Sequence, residues 1–424
     1  MAGAARAALI ALLLAGCDQA RGADAVPGTG GEERVHVDAH ERARRVIAGL
    51  PAEPDDGLTV PTPIEDPSGH ALDALHRALA RAARGEGRAR LVFYGGSHTA
   101  SDLYTGEIRA RLQGEFGDAG HGFVLVQPPI DRYWQWGARV IPGDGWDEAS
   151  PDPKRMGIEP YGLTGIAFDA IGDAWARVET ERAPASRLEL AYLAQPGGGS
   201  VEITVDSDVH VIRTEAASAR AAVHVVAVPD GQHAMELRTL GDGPVRLFGV
   251  ALEREQSGVI VDQLGLAGAK ARHMGLWDEE VWSALLAWRR PDLIALSYGN
   301  NEGDDHHLTL DAHVRHFEAA IERVQRHFPE ASCLVIAPSD RQLDEGEGWH
   351  TPELIHALHQ AQRRIARERG CAFFDTIAWQ GGPGAVERWI AAEPPLERDD
   401  RIHFTELGYR RFGRALVRGL LEGL

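Results

Sequence analysis

Three kinds of side chain in this sequence could together attack a carbonyl carbon: a serine at a sharp turn, an imidazole, and a carboxylate three residues before that imidazole. The serine is Ser97, in Leu91-Val92-Phe93-Tyr94-Gly95-Gly96-Ser97-His98-Thr99-Ala100. The apolar run before it predicts a strand buried on both faces, and the two glycines let the backbone turn sharply. Leu103, Ile108, Leu112 and Phe116 have the spacing of one helix face, which predicts a helix over 102–116. A serine between a buried strand and a helix N-terminus is placed for nucleophilic attack, and the N–H groups there can hold a developing oxyanion. The plainer reading is a Gly-Ser turn with Ser97 or Thr99 as the helix N-cap. The candidate base is His403, in Asp400-Arg401-Ile402-His403. A serine hydroxyl needs such a base, and a nearby carboxylate can orient the ring and stabilise the imidazolium. Asp399 competes with Asp400, but the spacing favours Asp400.

These groups must be held by something, and the pattern from residue 258 onward supplies it. Apolar strand-like runs at 259–261, 293–297, 332–337 and 371–374 alternate with helical patterns at 268–275, 279–289, 313–326, 353–369 and 405–421. Strand-helix alternation without hairpin signals predicts a parallel, doubly wound sheet, whose ligands sit beyond the carboxyl ends of the strands. Two of these runs lead into turns containing glycine: Asp262-Gln263-Leu264-Gly265-Leu266-Ala267-Gly268-Ala269 and Leu293-Ile294-Ala295-Leu296-Ser297-Tyr298-Gly299-Asn300-Asn301-Glu302. A helix at 71–84 leads into the Ser97 strand. Between the two halves the pattern changes. Segments at 175–180, 187–193, 200–206, 210–214, 221–228, 234–239 and 245–253 alternate or run apolar, with Gly/Pro turns between them, and predict an all-β sandwich. The organisation is therefore 1–17, 18–68, 69–127, 128–254 (the inserted sandwich) and 255–424.

The first 17 residues have one positive charge, Arg6, and an apolar stretch over 7–15 too short to span a membrane, which predicts a secretion signal. The ending Leu14-Ala15-Gly16-Cys17 looks like a bacterial lipobox, with Cys17 the lipidated first residue of the mature chain. Residues 18–33 read as a tether, and the five prolines of 51–68 as an extended, wrapping connection. The expected location is the periplasmic side of a bacterial envelope, held by a lipid anchor only.

With 44% hydrophobic and 25% charged residues the chain is globular, and a net charge of −19 argues against nucleic acid as a partner. His36 and His40 at i, i+4 read as a solvated helix face, and Asp304-Asp305-His306-His307 as an acidic loop. No zinc spacing is present, so neither metal nor cofactor is expected. Cys333 and Cys371 fall in neighbouring apolar runs and are expected to be two buried thiols. Trp134, Trp136 and Trp146 stand at the start of the inserted region, and could stack on sugar rings or pack its core.

The four blocks around Ser97, Gly268, Asn301 and Asp400/His403, in that order, resemble the SGNH hydrolases, or GDSL esterase/lipase superfamily. The resemblance covers roughly 88–125 and 257–424. It implies a flavodoxin-like, three-layer αβα fold. It places the nucleophile on Ser97, the rest of the triad on Asp400 and His403, and the oxyanion donors on the Ser97 and Gly268 N–H groups and the Asn301 side chain. Where the family has an aspartate before the serine, this sequence has Gly96. The inserted β-region, with Thr99-Ala100-Ser101-Asp102, Gly162-Leu163-Thr164-Gly165 and Tyr298-Gly299-Asn300-Asn301-Glu302, resembles the branch that contains the peptidoglycan O-acetylesterases. That implies removal of acetyl or another small acyl group from an envelope polysaccharide through an acyl-enzyme. The alternatives are an O-acetyltransferase using the same intermediate, and a catalytically inactive glycan-binding protein.

Overall fold

The structure, a computed structural model, describes residues 38–129, 133–151, 157–305, 307–344, 346 and 348–424. Cys17, His36 and His306 lie outside the described residues. Five parallel strands form the central sheet in the order Gly258–Gly265, Arg88–Gly95, Leu293–Ser297, Ser332–Ile336, Ala372–Phe374. Numbered along the chain this is 2-1-3-4-5, the flavodoxin-like order, whose switch point falls between the first and third strands. The chain leaves those two strands at Ser97 and Asn301.

Alternation along each strand feeds two cores. Leu91 and Phe93 pack with Leu75, Leu79, Ile108 and Leu112 of helices Asp73–Ala83 and Leu103–Phe116. Val92 and Tyr94 face the other way, with Trp282, Phe317 and Ile365 of helices Glu279–Arg289, Leu310–His327 and Glu353–Glu368. The both-face burial expected for the Ser97 strand is what its neighbours impose.

The region between the two halves forms two antiparallel sheets. One runs Arg220–Gly231, Ala185–Ala194, Val245–Glu253, Ala167–Ala170, Asp147–Ala149; the other runs Arg139–Ile141, Trp175–Glu179, Ala234–Thr239, Ser200–Val205, Asp208–Arg213. The three strands of three or four residues had no legible alternation. Gly120–Val124 pairs with Val245–Glu253, so the first sheet takes a strand from before residue 128. Val92 and Tyr94 share a core with Leu190, Leu247 and Phe248 of the inserted sheets, and the described residues from 38 onward form one compact unit.

A buried ion network ties the joint. Glu253, on the last inserted strand, receives Arg90 and Arg289, and Arg289 also clamps Asp262 through two nitrogens. Burial pushes the Glu253 carboxyl up, but Arg289, Arg90 and Arg88 outweigh it and hold the group well below the usual carboxylate range. On the far edge, Glu65 pairs with Phe373 through backbone hydrogen bonds of 2.8 and 2.9 Å, so the proline-rich segment covers the exposed strand.

The cysteines correct an expectation. Cys333 and Cys371 are joined in a disulfide, with Cα atoms 4.7 Å apart. Leu334 pairs with Ala372, so the preceding residues, Cys333 and Cys371, stand side by side. That separation lies within the range a disulfide requires.

Candidate active site

The first strand ends at Gly95, and Ser97 opens a single helical turn, Ser97–Ala100. The turn is packed too closely for side chains on its neighbours. A Cβ on Gly95 or Gly265 would fall closer than 3.0 Å to atoms of Thr99 or Ala100. Gln263 fixes the turn by donating its amide to the Thr99 carbonyl at 2.7 Å, and the Thr99 hydroxyl meets the Tyr104 hydroxyl at 2.9 Å. The helix expected over 102–116 starts at Leu103, because Asp102 takes a left-handed φ of 48°. The Asp102 carboxylate accepts from Thr105, from Arg109 twice, and from the N–H of Trp136 at 2.8 Å.

His403 lies 306 residues from Ser97, and its Nε2 sits 2.8 Å from Ser97 Oγ. Its Nδ1 is 3.0 Å from Asp400 Oδ2. An Nδ1–H donating to Asp400 leaves the Nε2 lone pair to accept the serine hydroxyl. The other carboxylate oxygen of Asp400 accepts the N–H groups of Ile402 and His403 at 3.0 and 2.9 Å. Partial burial works to raise the Asp400 pKa, but the His403 ring and these two N–H groups hold it far below the usual range. It is Asp400, not Asp399, that reaches the ring.

The Gly268 turn lies against the same strand ends: Leu266 donates to the Gly95 carbonyl at 3.0 Å, and Gly268 has the left-handed φ of 76° that glycine tolerates. Asn301 closes the arrangement. Its side-chain nitrogen donates to the Ala269 carbonyl at 2.9 Å and stands against the Gly96 Cα, where a Cβ would come closer than 3.0 Å. An amide nitrogen carries two hydrogens, so one remains for a ligand. Asn300 turns away and pairs with Ser339. Glu302 binds the Gly268 and Asn301 segments together, accepting from Ala271 N at 2.8 Å and Gly299 N at 3.0 Å. Ser97, Gly268 and Asn301, on turns that follow strands, and Asp400 and His403, on the loop before helix Glu406–Leu421, converge at one end of the sheet.

A cleft of about 620 Å³ opens beside Ser97 and His403, lined also by Leu103, Trp134, Ala267, Arg398, Glu406 and Tyr409. Behind His403 lies the buried ring of His98, its centroid 5.3 Å away, with Nδ1 3.1 Å from the Tyr409 hydroxyl. Burial and the neighbouring His403 and Arg341 push His98 well below its ordinary pKa, so it packs there as a neutral ring. Arg398, Tyr409 and His98 belong to none of the motifs legible in the sequence. Arg398 stands five residues before His403, and His98 directly follows Ser97; nearness to the reacting residues was the signal available. Of the tryptophans, Trp134 and Trp136 are 59% and 43% exposed, whereas Trp146 is partly buried on the core and donates to the Trp175 carbonyl. Asp305 is taken up by Lys270 and Arg272. Among the described residues no three His, Cys, Asp or Glu side chains gather as a metal site.

Residues 230–411 match the model of the GDSL-like lipase/acylhydrolase family; the range contains Gly268, Asn301, Asp400 and His403, while Ser97 precedes it. Among solved structures, one titled as a peptidoglycan O-acetylesterase in action is 23% identical over 85% of this chain and 98% of its own, with a TM-score of 0.70. An acetylxylan esterase from Geobacillus stearothermophilus is 19% identical over 40% of this chain and 74% of its own, with a TM-score of 0.30. No curated protein matches the chain. The likeness to the first structure is one of fold.

Proposed function

We propose that this chain, a carboxylic ester hydrolase of the GDSL-like lipase/acylhydrolase (SGNH) family, removes acetyl or other small acyl groups from a cell-envelope polysaccharide through an acyl-enzyme on Ser97. The observation that carries the reading is the unbroken hydrogen-bond chain Ser97–His403–Asp400, with contacts of 2.8 and 3.0 Å. The same chain weighs against an inactive glycan-binding protein. Peptidoglycan O-acetyl groups are the first substrate to test, supported by the peptidoglycan O-acetylesterase that shares this fold and by the inserted sheets.

In this reading His403 Nε2 takes the hydroxyl proton as Ser97 Oγ attacks the ester carbonyl. The carbonyl oxygen becomes an oxyanion held by the N–H groups of Ser97 and Gly268 and by the Asn301 amide. Each well-aimed donor lowers the barrier by about 2.7–4 kcal/mol. Asp400 stays ionised and stabilises the imidazolium. As the intermediate collapses, the sugar oxygen departs with the proton from His403, leaving acyl-Ser97. Water then gives its proton to His403, attacks the acyl carbon, and the acid is released as Ser97 recovers its proton. A sugar hydroxyl in place of that water would make the enzyme a transferase.

The test is acetate release from p-nitrophenyl acetate and from O-acetylated peptidoglycan, wild type beside Ser97→Ala. A loss of several orders of magnitude in both is expected; equal rates in the two proteins would sink the serine mechanism. The envelope location is part of the proposal. It rests on the Leu14-Ala15-Gly16-Cys17 sequence, and Cys17→Ala should release the protein from membranes into the soluble periplasmic fraction.

A further inference from the structure

The cleft beside Ser97 carries an unbalanced charge. Of its charged residues, Asp400 is engaged by His403, and Glu406 by Arg410 through contacts of 2.8 and 3.0 Å. Arg398 is partly buried, and no hydrogen bond or ion pair engages its guanidinium among the described residues. Its backbone is nevertheless pinned: Arg398 N donates to the His403 carbonyl at 2.8 Å, and Arg401 N donates to the Arg398 carbonyl at 3.0 Å. The cation is therefore presented from the same loop that carries the base. In a protein of net charge −19, an unpaired, partly desolvated arginine facing the reaction cleft is a binding group awaiting an anion.

The same cleft also carries an aromatic side chain. Trp134 is 59% exposed and lines the Ser97 cleft. It also lines a second cleft of about 370 Å³, which shares Ser101 and Leu103 with the first. The two clefts adjoin at these residues, and the groove beside Ser97 is by itself larger than an acetyl group requires. The segment bearing Trp134 is anchored two residues on, where Trp136 N–H donates to Asp102 and Arg410 lies 4.7 Å over the Trp136 ring.

Resting on the polysaccharide reading above, we infer that this groove selects acyl esters on a sugar that also bears a carboxylate. Trp134 stacks on the pyranose ring, and Arg398 pairs with the carboxylate as the ester carbonyl reaches Ser97. A neutral glycan or a fatty acyl chain would leave Arg398 unpaired. The carboxylate has two natural sources in sugars, the lactyl ether of a muramic acid and the C6 acid of a uronic acid.

The experiment compares kcat/KM of the purified protein on three substrates. These are O-acetylated peptidoglycan glycan strands freed of peptide, O-acetylated polygalacturonate, and neutral O-acetylated xylooligosaccharides. Wild type should prefer a carboxylated substrate, and which of the two it prefers identifies the source. Arg398→Gln should lower the carboxylated-to-neutral ratio by about 10- to 100-fold, through KM, as expected for one charge-assisted contact. Arg398→Lys should restore part of that ratio, which a merely structural role would not predict. Trp134→Ala should raise KM on all three glycans. An unchanged ratio in Arg398→Gln, or wild-type preference for p-nitrophenyl octanoate over every glycan, overturns the inference. Turnover of p-nitrophenyl acetate with no acetate released from any glycan overturns the polysaccharide reading itself, and this inference with it.

Discussion

Gly96 occupies the position where the SGNH hydrolases that this sequence resembles have an aspartate, and the space around it accounts for the glycine. Its φ of −85° is one that any residue adopts, so conformation does not demand glycine. Space does. A Cβ at this position would stand closer than 3.0 Å to the Asn301 side-chain nitrogen and 3.4 Å from the Ala269 carbonyl oxygen. Asn301 cannot yield toward Ala269, because that carbonyl already accepts its amide at 2.9 Å. Its remaining course is to rotate away, which removes it from the place where an oxyanion forms. Gly96→Ala should therefore behave as the loss of one oxyanion donor, lowering kcat by about 10²- to 10³-fold, or 2.7–4 kcal/mol. KM for p-nitrophenyl acetate should change little, since the donor acts chiefly on the transition state. Steady-state kinetics of Gly96→Ala, Asn301→Ala and the double variant form the assay. If the glycine serves only to admit Asn301, the double variant should be no worse than Asn301→Ala alone. Additive losses, or a Gly96→Ala enzyme at wild-type kcat with an unchanged melting temperature, would refute the reasoning.

Three other outcomes are expected. Glu397 is buried with neither carboxylate oxygen hydrogen-bonded, and burial together with the charges of Asp400 and Asp340 pushes its pKa well up. Below the ordinary carboxylate range both folded and unfolded chains keep this proton; as pH rises above it only the unfolded chain ionises, so stability falls by up to about 1.4 kcal/mol per pH unit. Glu397→Gln should thus match wild type in thermal melts near pH 4 and exceed it increasingly toward pH 7, and a constant difference would contradict the assignment. Breaking the Cys333–Cys371 bridge, which closes a separation of 38 residues, should lower unfolding stability by about 4 kcal/mol in the chain-entropy account, measured by denaturant melts of Cys333→Ala or of the reduced protein. Glu302→Ala removes the acceptor shared by Ala271 N and Gly299 N and should reduce kcat more than KM, because both oxyanion segments lose their common tie.

Much of this molecule is written locally. The inserted strands Ala234–Thr239 and Val245–Glu253, and the helix Glu279–Arg289, stand where alternation and periodicity predict them. These patterns arise from residues two to four positions apart and need no knowledge of the fold. The Asp400–His403 pair is local in the same sense, since the carboxylate holds both the ring and the N–H three residues on. Strands of three or four residues, such as Arg139–Ile141, carry too few positions for a period to show.

What only the tertiary structure decided depends on strand register and on space. Ser97 meets His403 across 306 residues because the first strand of the sheet and the loop before helix Glu406–Leu421 end on the same side. Cys333 and Cys371 become a disulfide because a register of Leu334 on Ala372 sets them abreast, which apolar composition could not reveal. Arg398 is singled out because Glu406 and Asp400 are matched by other partners. Gly96 changes from a missing carboxylate into the room that Asn301 occupies. Each of these is a property of distance between segments remote in the chain, and distance enters only when the sheet is assembled.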